Sequence, residues 1–471
     1  MRIAVIGAGI SGLGAAWALR RRHDVTLYES ADRLGGHSNT VEVTAGGRSV
    51  PVDTGFIVYN ERNYPNLVRL FGALDVATEP SDMSFAVSIR DGALEYSGTN
   101  LAGLIAQKRN LARPRFWRMV ADTLRFYREA RALLRRADAP DVTLGEFLAR
   151  GRYSAGFLDD HLLPMGAAIW STPVAEMLEF PLPTFARFLD NHGLLQLTDR
   201  PRWRTVTGGS RRYVARVAAA LGPNAIRHAA ATRVGRDADG VAVRDALGET
   251  RRFDQVVLAC HADQALGLLA DAAPHERALL GAFRFQPNRA VLHGDPDLMP
   301  RRRSVWASWN YLAPEPDAAR RGAVAVTYWM NRLQNLDPAL DLFVTLNPPR
   351  APRAALVYGS FDYDHPVFDR AAIAAQRAMA SLQGVRRTWF AGAWLGYGFH
   401  EDGLASGLAV ARALGAPPPW ETEATSVPSP KTVMPAQAGI PEHALDHRGR
   451  DSWSPAFAGV TESAQQNDPV P

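Results

Sequence analysis

An α/β fold organised around a doubly wound parallel sheet is predicted by two features of the first thirty residues and one near residue 400. The first is the apolar run Ile3 to Ile6, which leads into Gly7-Ala8-Gly9-Ile10-Ser11-Gly12 and then into helical spacing up to Arg20. The second is another apolar run, Val25 to Tyr28, which ends on Glu29. The third is a strand-like segment ending at Gly392, followed by a glycine-rich loop and a helix that reaches Leu414.

Each part of the opening unit has a physical task. Gly7 makes a tight turn, Gly9 lets backbone approach a ligand, and Gly12 lets helix pack closely on strand. The helix that follows faces an anion with unpaired N–H groups and a positive dipole end. Glu29 follows at close to the offset of about 20 residues at which a carboxylate takes ribose hydroxyls. Gly7, Gly9, Ser11, Gly12 and Glu29 therefore predict dinucleotide binding, with an ordinary strand-to-helix turn as the plainer alternative.

A chain of 471 residues, 46% hydrophobic and 21% charged, has the composition of a globular protein with two or three domains. The first strand opens at residue 2 and no long apolar run follows, so neither signal peptide nor membrane span is expected and the location is cytoplasmic. Cys260 is the only cysteine, which excludes an intrachain disulfide or a cysteine-based metal cluster; no metal site is predicted. Net charge is +5, carried almost wholly by arginine, with Lys108 and Lys431 the only lysines. No zinc-finger, helix-turn-helix or RNP pattern occurs, so no nucleic-acid partner is expected.

After Glu29 comes Ser30-Ala31-Asp32-Arg33-Leu34-Gly35-Gly36-His37, a loop able to fold back over a pyrophosphate and add N–H donors. Glu-x-x-x-Arg-x-Gly-Gly in this place resembles the flavin amine oxidase superfamily, which includes amine oxidases, protoporphyrinogen oxidase and phytoene desaturases. The resemblance implies that the dinucleotide is FAD and that Ser30, Arg33, Gly35, Gly36 and His37 join its contacts. Val50 to Gly55 reads as strand and turn, approaching the flavin ring in the resemblance, or as a simple hairpin turn. Tyr64 to Leu74 has helix spacing.

From Asp82 the pattern changes and a second domain begins. Residues 108–136 interleave ten cations with Phe116, Trp117, Val120, Leu124, Tyr127 and Leu134. This amphipathic helix reads as covering the domain core; peripheral contact with an anionic membrane surface at the inner face of the membrane is the alternative. Thr143-Leu144-Gly145-Glu146 has capping-box spacing. Pro164 to Ser171 and Asn191-His192-Gly193 suit a substrate cavity, although Trp170 and His192 taken singly read as core. The same segments resemble a bacterial branch of predicted FAD-binding oxidoreductases often encoded near cyclopropane-fatty-acid-synthase-like methyltransferases.

Trp203 to Ser210 and the helix Tyr213 to Leu221 resemble the return to the FAD domain. The resemblance implies a backbone contact from Val234 to the adenine, while Val241 to Val243 and a strand Arg252 to Leu258 form a meander around Gly248. Val324 to Trp329 reads as a strand, and His365 to Phe368 precede a helix Ala371 to Leu382; their aromatics wall a substrate or fill a core. In the closing segment the resemblance points a helix end at the flavin pyrimidine and implies contacts by Gly392, Ala393, Asp402, Gly403 and Leu404. Ala393 stands where the family commonly has Asp or Glu, and Asp402-Gly403 where it has Gly-Ala. Tyr397 and His400 precede that helix and are the candidates for proton transfer. From Pro417 the composition is that of a disordered tail, in which Pro435 to Ile440 recurs as Pro455 to Val460.

The sequence thus predicts a discontinuous Rossmann-type FAD-binding domain over 1–81, 205–289 and 385–416, with an inserted α+β substrate domain over 82–204 and 290–384 and a tail over 417–471. Its expected activity is desaturase-like hydride removal from an apolar small-molecule or lipid substrate, with a fatty-acyl or isoprenoid chain favoured. Neither lysine lies in a segment matching the lysine of amine oxidases, which places an amine or amino-acid oxidase second and a non-redox flavoprotein, a mutase or cyclase, third.

Overall fold

The computed structural model describes residues 1–45, 47–98, 100–136, 142–170, 174–196, 200–313 and 325–422. Five parallel strands form one sheet in the order Ile226–His228, Asp24–Glu29, Arg2–Ile6, Gln255–Leu258 and Thr388–Phe390. Val5, Leu27, Val257 and Leu258 are fully buried, as strands covered on both faces require. Three distant stretches of chain are needed to complete the sheet that the first thirty residues begin.

The first helix, Ile10–Leu19, is buried along its whole length and is crossed by the closing helix His400–Ala413. Glycines set how near they come. A Cβ on Gly407 would lie 2.1 Å from the Ser11 carbonyl oxygen, and one on Gly14 would lie 2.4 Å from Leu404 Cδ1. Bare backbone on each helix therefore accommodates the other.

The expected strand Arg252 to Leu258 is two strands. Thr250–Phe253 joins an antiparallel sheet with Ala231–Asp237 and Gly240–Asp245, whereas Gln255–Leu258 joins the parallel one. The break falls at Asp254, whose N–H donates to the Arg2 carbonyl at 2.8 Å and whose carboxylate accepts the Arg2 N–H at 2.6 Å.

A seven-stranded sheet runs Val357–Val367, Arg284–His293, Phe343–Leu346, Ala325–Trp329, Trp309–Ala313, Phe85–Ile89 and Leu94–Ser97. Helices between residues 114 and 191 pack over it. The long helix Pro114–Leu134 buries Phe116, Met119, Phe126, Ala130 and Leu133, and Thr143 and Glu146 exchange capping bonds of 3.1 and 3.2 Å. Trp170 lies 5.0, 5.5 and 4.5 Å from Phe180, Phe185 and Phe188, so Pro164 to Trp170 is core; Ser171 lies outside the described residues. The helix Arg370–Ala378 packs against the parallel sheet, Ala372 and Ala375 sharing a cluster with Val256 and Phe390. No helix among the described residues is long and apolar enough to cross a membrane.

The composition shift at Pro417 comes a few residues before the packing ends. Pro419–Thr422 is helical, Trp420 stacks on Trp17 at 5.7 Å, and Glu421 accepts from Arg412 at 2.6 Å. The repeat in the tail lies outside the described residues.

Asp53 joins three separate stretches. Its buried carboxylate accepts from Ser210 N–H at 3.0 Å, Ser210 Oγ at 2.8 Å, Thr40 Oγ1 at 2.5 Å and Gln334 Nε2 at 2.9 Å. Asp53→Ala leaves those donors unsatisfied in the interior and is expected to destabilise by about 3 kcal/mol. Urea denaturation measures the loss; an unchanged midpoint would show that water replaces the carboxylate.

Candidate functional site

The site begins where the strand Arg2–Ile6 turns into the first helix. Gly7 has φ +100°, its N–H donates to the Tyr28 carbonyl at 2.9 Å, and a Cβ there would meet the Ala259 carbonyl oxygen at 2.6 Å. A Cβ on Gly12 would lie 1.8 Å from the Gly7 carbonyl oxygen. Gly9 differs, because a Cβ there would meet nothing within 4 Å. The helix has no side-chain cap at Gly9, so the N–H groups of its first turn are left for a ligand.

The glycine pair after Arg33 lies against this opening. A Cβ on Gly36 would come within 3.1 Å of Gly9 Cα, and Gly35 N–H donates to the Ala8 carbonyl at 2.8 Å. The Arg33 guanidinium donates to the carbonyls of Gly36 and Ser38 at 2.9 and 3.4 Å, clamping its own turn. Glu29 accepts Ala8 N–H through Oε2 and Ala31 N–H through Oε1, both at 2.9 Å, with Ser30 Oγ at 3.3 Å.

The closing segment reaches the same place. Gly392 N–H donates to Ser406 Oγ at 2.9 Å, and that hydroxyl donates to the Gly403 carbonyl at 2.7 Å. A Cβ on Gly403 would lie 2.9 Å from Ser11 Oγ and 3.6 Å from Ala393 Cβ, so the starts of two helices stand side by side. Two positive dipole ends then lie close together. Leu404 is fully buried beside Gly14 and offers a ligand only backbone. Asp402 accepts Phe399 N–H at 2.9 Å, and burial raises its carboxyl to about 6. Glu401 accepts from Asn66 N–H at 2.9 Å and Leu67 N–H at 3.0 Å, capping the helix Pro65–Ala73 from outside.

His400 does not precede the closing helix as expected; it is its first residue, because Asp402 caps the chain at Phe399. Its ring stacks on Phe56 at 3.8 Å, and Nε2 lies 2.8 Å from Tyr213 Oη and 3.1 Å from Ser38 Oγ. Burial pushes it down to about 3, so the ring is neutral at pH 7. Tyr397 instead faces the inserted helices, 6.1 Å from Phe188. Val234 is fully buried in the three-stranded sheet, and its carbonyl already accepts Ala270 N–H at 2.9 Å.

Two groups bring together residues that lie far apart in the sequence. His37 stacks against Tyr363 and His365 at 4.9 and 5.5 Å, and its buried Nε2 has no partner among the described residues. Burial first, and the nearby Arg33 guanidinium with it, hold its pKa well below the ordinary value. The second group is aromatic: Phe188 stacks on His192 at 3.9 Å and on Phe399 at 4.8 Å. His192 Nδ1 lies 3.0 Å from the Phe188 carbonyl, which only accepts, so Nδ1 carries the proton and Nε2 the lone pair. Burial lowers His192 to about 4.

The open face of Gly9, the uncapped first helix, the carboxylate of Glu29 and the orphaned Nε2 of His37 fit an FAD. A family model described as flavin containing amine oxidoreductase matches residues 10–284. A curated protein of Mycobacterium tuberculosis, "Putative flavin-containing monoamine oxidase AofH", is 29% identical over 266 residues. That match spans about half of each protein, 52% of this chain and 54% of the relative. Among solved structures, a CLA-producing fatty acid isomerase from P. acnes superposes with TM-score 0.63 at 17% identity, covering 88% of this chain and 98% of that one. Cyclohexylamine oxidase from Brevibacterium oxydans IH-35A gives 0.62 at 18%, covering 88% and 99%. A reduced UDP-galactopyranose mutase gives 0.61 at 16%, covering 88% and 94%. At these identities the likeness is one of fold.

Proposed function

The chain belongs to the flavin-containing amine oxidoreductase family, and on that premise we propose that it removes a hydride from a C–H bond of an apolar substrate, a fatty-acyl or isoprenoid chain. FAD, when bound, supplies the hydride acceptor. The open backbone at Gly9 and the Arg33 to Gly36 turn would hold the pyrophosphate, with Gly7 and Gly12 shaping the turn, Glu29 would hold the ribose, and the start of His400–Ala413 would offer its dipole to the other half.

The observation that carries the substrate class is the wall beside that helix start. Phe399, Tyr397 and a neutral His192, each partly exposed, form it over the buried Phe188, while the carboxylates of Glu401 and Asp402 are turned to backbone N–H groups. Such a wall suits a chain without charge. The one lysine among the described residues, Lys108, is exposed in the turn Lys108–Ala112. Tyr397 holds its proton, burial having raised its pKa, and orients the chain against Phe188. His400 positions Phe56 from behind.

Amine oxidation is the second reading, favoured by the curated relative's printed name. Anaerobic mixing separates the two. Lipids with unsaturated or methylated acyl chains are expected to bleach the flavin absorption; bleaching by amines alone would overturn the lipid reading.

A further inference from the structure

We infer that the outer face of the helix Pro114–Leu134 docks on an anionic lipid bilayer. This goes beyond the substrate reading and holds whichever molecule is oxidised. The inner edge of the helix is occupied by the core, so the residues opposite have no packing task there. Those residues are Trp117, Ala121, Leu124, Arg128 and Arg135, spaced by three, four or seven and therefore on one stripe.

The stripe is apolar at one end and basic at the other. Trp117 is 48% exposed and Leu124 49%. Trp117 Nε1 donates to the Leu111 carbonyl at 2.9 Å, which lays the indole beside a further exposed leucine. Of eight exposed large apolar side chains among the described residues, four fall between Leu101 and Leu124, a clustering that scattered surface residues do not give.

Charge selects the partner. Residues 108–136 carry ten cations and two carboxylates, a net of +8 in a chain whose total is +5. Neither carboxylate neutralises the stripe: Asp122 accepts from Ser154 N–H and pairs with Arg125, and Glu129 accepts from Tyr153 Oη. Lys108, Arg118, Arg128 and Arg135 are exposed and have no carboxylate partner among the described residues. Indole and leucine flanked by arginine match the boundary between headgroups and acyl chains, where apolar groups insert while guanidinium groups meet phosphates. A polyanion without an apolar layer would leave Trp117 and Leu124 in water.

The test is flotation of the full-length flavoprotein with vesicles of phosphatidylcholine alone or with roughly one-third phosphatidylglycerol. Binding to the anionic vesicles is expected to be at least about tenfold tighter and to weaken as salt rises. Trp117→Ser with Leu124→Ser, both exposed, is expected to keep flavin content and melting temperature and to lower partitioning about tenfold. Arg128→Glu with Arg135→Glu is expected to remove the anionic preference. The proposal is overturned if the parent stays unbound, if the variants partition as it does, if neutral vesicles bind equally, or if single-stranded RNA displaces the vesicles. Flavin bleaching by detergent-dispersed substrate should be the same in parent and variants, so a failed substrate reading is distinguishable from failed docking.

Discussion

Gly12→Val abolishes flavin binding and most of the folded yield, whereas Gly9→Ala leaves the fold intact and loses only the flavin. The two positions lie three residues apart in one turn, and the space around each decides the difference. A Cβ on Gly12 falls 1.8 Å from the Gly7 carbonyl oxygen, which is backbone and cannot rotate away. Relief requires lifting the first helix off the sheet, and every residue of that helix is buried. The expected cost is several kcal/mol, a large part of a typical domain stability of about 5–15 kcal/mol. A Cβ on Gly9 meets nothing within 4 Å, and its backbone, φ −71° and ψ −178°, is one that alanine adopts without strain. The apoprotein of Gly9→Ala should melt within about 2 °C of the parent's apoprotein. Its flavin content after reconstitution should fall at least about tenfold, because the methyl group fills the space into which the first-turn N–H groups point. Absorption spectra and thermal unfolding of both variants decide the matter. Full flavin occupancy in Gly9→Ala would place the pyrophosphate elsewhere.

The turn that carries this prediction was legible because its signals are local. Strand, glycines, helix and Glu29 follow one another, and each task can be read from residue type and spacing. The closing helix was read less well, although part of its signal was present. Glu401 and Asp402 together mark a helix N-terminus. Gly403 and Gly407 are poor helix residues on propensity alone; their reason for being there is the close approach to Ser11, nearly four hundred residues away. On sequence alone His400 stands ahead of the helix; the structure makes it the first residue of the helix, its ring stacked on Phe56. The contacts of His37 with Tyr363 and His365, and of Phe188 with Phe399, join residues that no periodicity connects. Composition likewise ended the folded chain before Trp420, because it does not register one indole stacking on Trp17.

Lowering the pH from 7 towards 4 is expected to unfold the protein, with buried histidine as the cause. Burial lowers His161, His192, His293 and His365 to about 4 and His400 to about 3, and it moves His37 in the same direction. In the unfolded chain these rings titrate near 6.5. Between those values the unfolded state binds more protons than the native one, so native stability falls as pH falls. A shift of two to three units corresponds to about 3 kcal/mol for each of the five rings at about 3 or 4, and half that amount from five rings already approaches a domain's whole stability. Asp53 and Asp402 act in the opposite sense. Burial raises both to about 6, so the native state keeps protons there that the unfolded state releases, and these two groups favour folding as pH falls through that range. Two carboxyls of about two units each do not offset six imidazoles. Circular dichroism during an acid titration should show a cooperative transition centred at about pH 5, above the range in which ordinary carboxylates protonate. His400→Gln retains a hydrogen-bonding side chain beside Tyr213 and Ser38 but cannot take up the proton, so its midpoint should move to lower pH. A transition below about pH 3, or an unmoved midpoint in His400→Gln, would assign acid unfolding to carboxylates instead. Because His400 lies at the start of the helix that packs on Ile10–Leu19, flavin release should accompany the same transition and not precede it.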